Sequence, residues 1–501
     1  MKISLWDASR GNYVSESCEA AETETVLSAL ARSGFALSAP CGGRGICGKC
    51  RMRLVTGTIR GDTPDGAGVF LACRAVPLTD ITIAPVFDEG FVENEVSASA
   101  AAGKGPGLKM KKAGAAIDIG TTTISAQLVD LDTSAIVDTF SELNNQRAFG
   151  ADVMSRIQAA VTGKTAELFN LVNKQTKKIL DTFIEKYQLE KIETLSVSGN
   201  TTMLHLFLNT DPSGMGQIPF SPVFLEEREL AGSVLGIPAE WVILLPGISA
   251  FIGGDIVSGL AFLDILNSGK TAMLIDIGTN GEIALFKGAE LFCCSAAAGP
   301  AFEGAEISCG IGSVRGAINR IEDAGGKLSY TTIGNAPPLG ICGSGLIDAI
   351  ALMLKAGFID GGGAFCDDAS AGFAIAEGIS LVNRDVRQFQ LAKSAILSGI
   401  KILCKNAGLR PADIDCVYIA GGLGFFIDKQ NAVTAGLLPE EFLGKIAVCG
   451  NLSLKGAVQC LLDTAFLPKC RRIIEKSRVM DLAADPLFMD AFAENMLFIP
   501  D

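Results

Sequence analysis

Histidine is almost missing from this chain: 501 residues contain one, His205. That excludes sites built on several imidazoles, among them most catalytic zinc centres and Rieske clusters. A metal held here would be held by thiolates. Cations are also in short supply, 42 Lys and Arg against 55 Asp and Glu, for a net charge of -13. Such a surface repels a phosphate backbone, which argues against nucleic acid as a partner. The basic run Lys109–Lys112 (KMKK) is too short for a membrane-binding patch and reads as the end of a solvated linker. Long apolar runs are lacking too. The start, MKISLWDASR, holds no stretch of signal-peptide length. The most apolar region, Trp241 to Leu266, is broken by Pro246, several glycines, Asp255 and Asp264, and reads as buried core, not as a membrane span. No membrane association and a cytoplasmic location are expected.

Cysteine and glycine, in contrast, are plentiful, at 15 and 57 residues. In a cytoplasmic chain the cysteines argue for metal binding over a disulfide framework. The glycines suggest tight turns and backbone that must come close to a ligand. Hydrophobic residues at 49% and charged residues at 19% indicate a globular protein, and the length suggests about three compact units.

Four of the cysteines have a pattern. Cys41, Cys47, Cys50 and Cys73 follow C-x5-C-x2-C-x22-C, in PCGGRGICGKC and then FLACRAVP. Three thiolates must converge on iron from one loop, and Gly42, Gly43, Gly45 and Gly48 let that loop wrap inward with its amides facing the sulfides. Arg44 and Lys49 would offset part of the cluster's negative charge. Around this loop MKISLWD, CRMRLVTGTI and DITIAPVF read as strands, and Glu22 to Ser33 as a helix. The alternatives are four buried structural cysteines or a zinc ribbon; a ribbon would need a second C-x2-C knuckle, and a [4Fe–4S] cluster more often uses C-x2-C-x2-C. The pattern is similar to [2Fe–2S] ferredoxins, with the five-residue first gap of the adrenodoxin type. Residues 1–90 are therefore expected to form a β-grasp ferredoxin-like domain carrying a [2Fe–2S] cluster. Cys18 lies outside the motif and reads as a buried thiol. Residues 91–113, rich in Ala, Gly and Ser, read as a flexible linker.

The remainder contains a repeated turn. D-I-G-T occurs at Asp118–Thr121, within AAIDIGTTTISAQLVD, and again at Asp276–Thr279, within LIDIGTNGEIALF. In each, an acidic residue ends a buried strand and a Gly-Thr hairpin follows. The amides and hydroxyls of Gly120, Thr121, Thr122 and Thr123, and of Gly278, Thr279, Asn280 and Gly281, suit phosphate oxygens. Asp118 and Asp276 suit Mg²⁺, directly or through water. A third stretch, VYIAGGLGFF, brings Gly421, Gly422 and Gly424 to the end of a buried strand, where bare backbone can lie against a base or ribose. Phe251–Phe262 and Asn451–Leu462 read as helices crossing between lobes. The bland alternative is that both hairpins are merely tight turns.

Two such hairpins followed by an A-G-G strand resemble the superfamily of sugar kinases, heat-shock chaperone ATPases and actin. That resemblance implies an α/β actin-like (ASKHA) ATPase of two RNase H-like lobes, 114–266 and 267–501, with ATP in the cleft. A ferredoxin-like domain joined to this ATPase resembles, over the whole chain, the reductive activators of corrinoid proteins. Supporting segments are LNNQRAFGADVMSRI (Leu143–Ile157), SVSGNTTMLHLFL (Ser196–Leu208), AAAGPAFEGAEISCGIG (Ala296–Gly312) and GICGSGLIDAIA (Gly340–Ala351). Cys449, Cys460 and Cys470 lack C-x2-C spacing, which separates this chain from family members with C-terminal [4Fe–4S] clusters.

The resemblance implies an enzyme that uses ATP and Mg²⁺ to pass one electron from its [2Fe–2S] cluster to the Co(II) corrinoid of a partner methyltransferase or corrinoid protein. It also implies an upstream low-potential electron donor and a homodimer. A plant-type cluster sits near ~−400 mV, and a Co(II) corrinoid is harder to reduce. A gap of ~150 mV corresponds to ~3.5 kcal/mol for one electron, within reach of coupled binding and ATP hydrolysis. The loop from Ser295 to Glu303 has two readings, a contact with the corrinoid or a phosphate-side loop. His205 reads as a satisfied core residue more readily than as a cobalt ligand, and Cys293, Cys294 and Cys342 as small buried residues. Asp348 and Asp385 are possible polar cleft residues. Two other functions fit parts of the chain: a nucleotide-gated electron carrier, and a small-molecule kinase with a redox-sensing ferredoxin domain.

Overall fold

The computed structural model describes residues 1–7, 12–33, 37, 39, 42–45, 48–86, 110–323, 325, 328–366 and 372–498. Cys41, Cys47 and nearly all of the expected linker, residues 91–109, lie outside the described residues.

The N-terminal domain is a five-stranded sheet in the order Asn12–Glu19, Lys2–Asp7, Ile81–Pro85, Arg51–Thr56, Val69–Leu71. The first and last strands of the domain run parallel at its centre, Ile3 opposite Ile81, which gives the sheet its β-grasp form. One helix, Val26–Arg32, covers it. The helix starts later than periodicity suggests because the Thr25 hydroxyl accepts the Ser28 amide at 3.2 Å and caps it there. Ile3, Leu5, Val26, Leu30, Met52, Phe70 and Ile83 form a core of the domain's own.

Two further six-stranded sheets follow. The first runs Ala135–Leu143, Thr123–Asp130, Ala113–Ile119, Ile192–Gly199, Ala239–Leu244, Arg228–Ala231. Three antiparallel strands lead into parallel pairs, Val197 opposite Ile117 and Leu244. The second sheet repeats the plan: Glu290–Ala296, Gly281–Lys287 and Ala272–Ile277 are antiparallel, and Cys416–Ala420 and Ile446–Gly450 continue in parallel. The short strand Ser477–Val479 is added at the outer edge. In each, the acidic residue of D-I-G-T comes from the central strand. Central strands are covered on both faces, so Ala113–Ile119 and Ala272–Ile277 read as near-continuous apolar runs. Helices Thr165–Tyr187, on the first sheet, and Asn383–Asn406, on the second, bury stripes at helical spacing, Leu168, Val172, Ile179, Phe183 and Val386, Phe389, Ile396, Ile400.

The lobes are interlocked. The Leu452–Leu462 helix follows the second sheet in the chain but lies on the first, against Ala113–Ile119 and Ile192–Gly199. The Gly254–Phe262 helix follows the first sheet and crosses that helix. At the crossing a Cβ on Gly456 would fall 2.5 Å from the Ser258 Cβ, so only glycine allows the approach. Ala116, Ile256, Leu260, Leu274, Phe286, Leu452 and Val458 belong to one apolar seam. Both expected crossing helices are present; the first begins at Gly254 because the Ile252 carbonyl accepts the Ile248 and Ser249 amides and the Ser249 hydroxyl those of Phe251 and Ile252, which holds the preceding residues in a turn.

Among the described residues, no helix is long and apolar enough to cross a membrane. His205 is fully buried and stacks on Phe224 at 4.2 Å. One ring nitrogen lies 2.7 Å from the Thr201 carbonyl and the other accepts the Val223 amide at 3.0 Å, the environment of a satisfied core residue. Cys18, Cys293, Cys294 and Cys342 are buried as well. Asp348 accepts from the Ile321 amide and Asn431, and Asp385 from the Ser308 amide and hydroxyl and the Val382 amide. Both carboxylates tie elements of the second lobe together.

Candidate functional site: the cleft between two phosphate-type hairpins

Each hairpin is closed by its own backbone. The Gly120 amide donates to the Thr123 carbonyl at 3.0 Å, and the Gly278 amide to the Asn280 carbonyl at 2.9 Å. The first hairpin is braced from outside. Asn144 donates to the Gly120 carbonyl at 2.9 Å, Asn200 to the Thr121 hydroxyl at 3.0 Å, and Arg156 to the Thr121 carbonyl. The hairpins face each other across Glu303. Its carboxylate accepts the Thr279 hydroxyl at 2.7 Å and lies beside the Thr122 side chain in the same cavity wall. Glu303 thus lies against one hairpin of each lobe. Ser295 lies elsewhere on the same stretch, in the strand opposite Glu282, with 3.5 Å between its hydroxyl and the Glu282 carboxylate.

Behind the hairpins lies an acidic crevice. Asp118 accepts from the Ser453 hydroxyl at 2.7 Å and from Asn451 at 2.8 Å, both on the second-lobe side of the chain. The Ser453 and Ser198 hydroxyls lie 2.8 Å apart, and Ser198 meets Ser258 at 3.1 Å. Burial first, then the neighbouring Asp255 and Asp118 charges, push the Asp276 carboxyl up to about 8. Burial and Asp118 push Asp255 up to about 7. Glu282 is raised well above the carboxylate range by burial and by Asp255 and Asp276. Glu303 and Asp118 are raised by burial, against the pull of their hydrogen-bond donors. These five residues are half-buried. A crowd of carboxylates that resist ionising together suits cation binding. Among the described residues no three His, Cys, Asp or Glu groups converge to ligate one ion directly.

The A-G-G strand closes the crevice. Gly421 has φ +86°, and a Cβ there would fall 2.5 Å from Asp276 Oδ1 and 2.9 Å from the Ile277 carbonyl. Gly422 is open on that count, with nothing within 4 Å, and begins the short helical turn Gly422–Phe425 that contains Gly424. Bare backbone is therefore required against Asp276 at one glycine and presented to the cleft by the next. Gly421→Ala is expected to cost about 1–2 kcal/mol from the left-handed backbone alone and to push Asp276 aside. Thermal melting with nucleotide titration checks this, and Gly422→Ala is expected to melt like the unmodified protein.

The cysteine loop fits a cluster where it is described. Gly42, Gly43, Gly45 and Gly48 all have positive φ, from +62° to +82°. Gly43 passes over Cys73, with its Cβ position 3.9 Å from that of Cys73. The Ala72 amide donates to the Cys50 carbonyl at 2.8 Å, which sets the buried Cys50 and Cys73 side by side. This loop also touches the second part of the chain. Lys49 donates to the Ile307 carbonyl at 3.2 Å, and Gly42 packs on the Phe149 carbonyl. Lys49 and Ala39 wall off a cavity whose other side holds Thr122, Arg147 and Glu303.

Comparison with known proteins fits this arrangement. A 2Fe-2S iron-sulfur cluster binding domain matches residues 12–78, the RACo middle region matches 113–268, and the C-terminal domain of RACo, the ASKHA domain, matches 270–501. The chain is 32% identical to the corrinoid activation enzyme RamQ of Eubacterium limosum over 77% of its own length and 70% of that protein's. It belongs to the reductive activators of corrinoid proteins. This activator is also 26% identical to the [Co(II) methylated amine-specific corrinoid protein] reductase of Methanosarcina barkeri, over 75% of its length and 74% of the relative's. Among solved structures, a reductive activator for corrinoid, iron-sulfur protein superposes with a TM-score of 0.71 at 28% identity, covering 99% of the activator and 98% of that chain. The activator is thus an enzyme of corrinoid activation, built as a [2Fe–2S] domain followed by an ASKHA domain.

Asp255, Arg156, Asn200, Asn451 and Ser453 were not singled out as site residues from sequence. Asp255 alone carried a local signal, an acidic residue entering a helix directly after two glycines.

Proposed function

We propose that this activator uses ATP to drive one electron from its own [2Fe–2S] centre to the Co(II) corrinoid of a partner methyltransferase or corrinoid protein, giving Co(I). The observation that carries the reading is the position of Glu303 between Thr122 and Thr279. It sets two phosphate-type hairpins of opposite lobes against one carboxylate, beside a cavity that the cysteine loop helps to wall. When bound, the cluster supplies a low-potential one-electron store, which an upstream donor refills. Cys41, Cys47, Cys50 and Cys73 hold it. Asp118, Gly120, Thr121, Thr122 and Thr123 on one side, and Asp276, Gly278, Thr279, Asn280 and Gly281 on the other, receive the phosphates and the hydrated Mg²⁺. Gly421, Gly422 and Gly424 take the ribose and base. A ligand that engages both hairpins favours the closed lobes, and closure favours whatever partner state the closed surface binds best.

Two residues are assigned to the partner side. Ser295 is proposed to face the corrinoid, and Glu303 to report nucleotide to that surface, since it lies against both hairpins. Mixing reduced activator with ATP, Mg²⁺ and a Co(II) corrinoid protein is expected to produce the Co(I) absorption band, and omitting ATP to abolish it. Ser295→Ala is expected to slow Co(I) formation at least about tenfold while ATP turnover stays within about twofold. Loss of both activities together would remove Ser295 from the cobalt side. ATP-independent Co(I) formation would remove the nucleotide from the mechanism.

A further inference from the structure

Arg156 is the largest fully buried side chain of the described residues, and its bond to the first hairpin does not by itself account for a buried charge. It sits in the Val153–Ala159 helix, whose start is fixed by Asp152 and Ser155. All four of the acceptors it reaches are neutral. Nε donates to the Gly150 carbonyl at 3.0 Å, one terminal nitrogen to Gln146 Oε1 at 3.3 Å and the Met203 sulfur at 3.0 Å, and the other to the Thr121 carbonyl. No carboxylate is among them. Burial lowers the guanidinium to about 9, and the charges that oppose this, Glu303 foremost, act from a distance. The group is still a cation at neutral pH. A buried cation without a paired anion is costly to keep. Bracing a turn does not need one: Asn144 and Asn200 already brace the same hairpin with neutral amides.

We infer that Arg156, buried behind the first hairpin with only neutral partners, is a positioning residue whose missing counter-anion is the phosphate end of the nucleotide. This rests on the nucleotide reading given above. Arg156 acts twice. Its bond to the Thr121 carbonyl turns that peptide's oxygen away from the cleft, so the following amide is left to face an incoming oxyanion. Its charge, screened by little water, favours negative charge on the other side of the same peptide. It does not itself touch the ligand.

The test separates charge from scaffolding. Affinities for ATP, ADP and adenosine are measured by calorimetry on full-length protein, with the visible spectrum of the cluster and the thermal midpoint as folding controls. Arg156→Met is expected to weaken ATP at least about thirtyfold, ADP less, and adenosine not at all. Arg156→Lys keeps the charge and loses the fork, and is expected to recover a large part of the ATP affinity. Should Arg156→Met fail to fold, Arg156→Lys carries the test, with ATP weakened about fivefold and adenosine unchanged. If the variants weaken ATP and adenosine equally, or leave ATP binding intact, Arg156 is a structural clamp and the inference falls alone. If the unmodified protein binds no ATP, the nucleotide reading falls and takes this inference with it.

Discussion

Cys73→Ala is expected to remove the iron–sulfur cluster and Co(I) formation together, while nucleotide affinity stays within about twofold. Cys73 is 8% exposed and Cys50 1% exposed, both in the small core of the N-terminal domain. They are neighbours through the Ala72–Cys50 backbone bond, so neither thiolate can be replaced from elsewhere in the domain without rebuilding the strand ends. A cluster held by four thiolates loses a full ligand when one becomes a methyl group. The nucleotide cleft does not depend on that core. Among the described residues, the N-terminal domain meets the rest of the chain through Lys49 on Ile307, Gly42 on Phe149 and Lys174 on Ser33, among other contacts. Iron analysis, visible absorption, ATP calorimetry and the Co(I) band check the prediction. A variant that keeps its cluster would show that Cys73 is not a ligand.

Asp276→Asn is the second change with a large expected effect, and it acts in opposite directions on activity and stability. Asp276 ends the central strand of the second sheet, in van der Waals contact with the required glycine at 421. An amide cannot ionise beside the cation, so half of the carboxylate pair offered to hydrated Mg²⁺ is removed, and ATP-dependent Co(I) formation is expected to fall at least about a hundredfold. Stability is expected to behave differently. An aspartate in the unfolded chain titrates near ~3.9, whereas burial and the charges of Asp255 and Asp118 push Asp276 up to about 8 in the fold. The folded state therefore holds a proton that the unfolded state has released, so stability contributed by this group is present at low pH and is lost as pH rises through that window. Without Mg²⁺ or nucleotide, the unmodified protein should lose thermal stability between pH 5 and pH 8 more steeply than Asp276→Asn, by an amount on the order of a few degrees. Melting curves at several pH values decide it. A variant that still makes Co(I) at the normal rate would overturn the role of the second hairpin.

What was legible in the sequence was local. The C-x5-C-x2-C loop, the two D-I-G-T hairpins and the A-G-G strand each pack their chemistry into about ten residues, and each was found where glycine frees the backbone. Hydrophobic runs gave the central strands for the same reason, because burial on both faces leaves a continuous apolar segment. What escaped was held by distance. Asp118 and its partners Asn451 and Ser453 are 333 and 335 residues apart in the chain, and no periodicity links them. Arg156 sits inside a segment that resembled the family, but nothing at the level of sequence marks an arginine as buried, since most are solvated. Glu303 and Ser295 looked like one loop and are set apart by the fold: one lies between the hairpins, the other sits on a strand opposite Glu282. The Gly254–Phe262 helix showed the same limit at smaller scale, because its start is set by turn bonds that leave no compositional trace.

The apolar seam between the lobes decides how this chain can be cut. The matches to the middle region and to the C-terminal domain change over between residues 268 and 270. Severing the backbone there would leave Ile256 and Leu260 on one fragment and Leu274, Phe286, Leu452 and Val458 on the other, each with a bare greasy face. The helix that covers the first sheet would travel with the wrong fragment. The two matched regions are thus one unit for expression, purification and refolding. The N-terminal domain, in contrast, closes around a core of its own, with Ile3, Leu30, Met52 and Phe70.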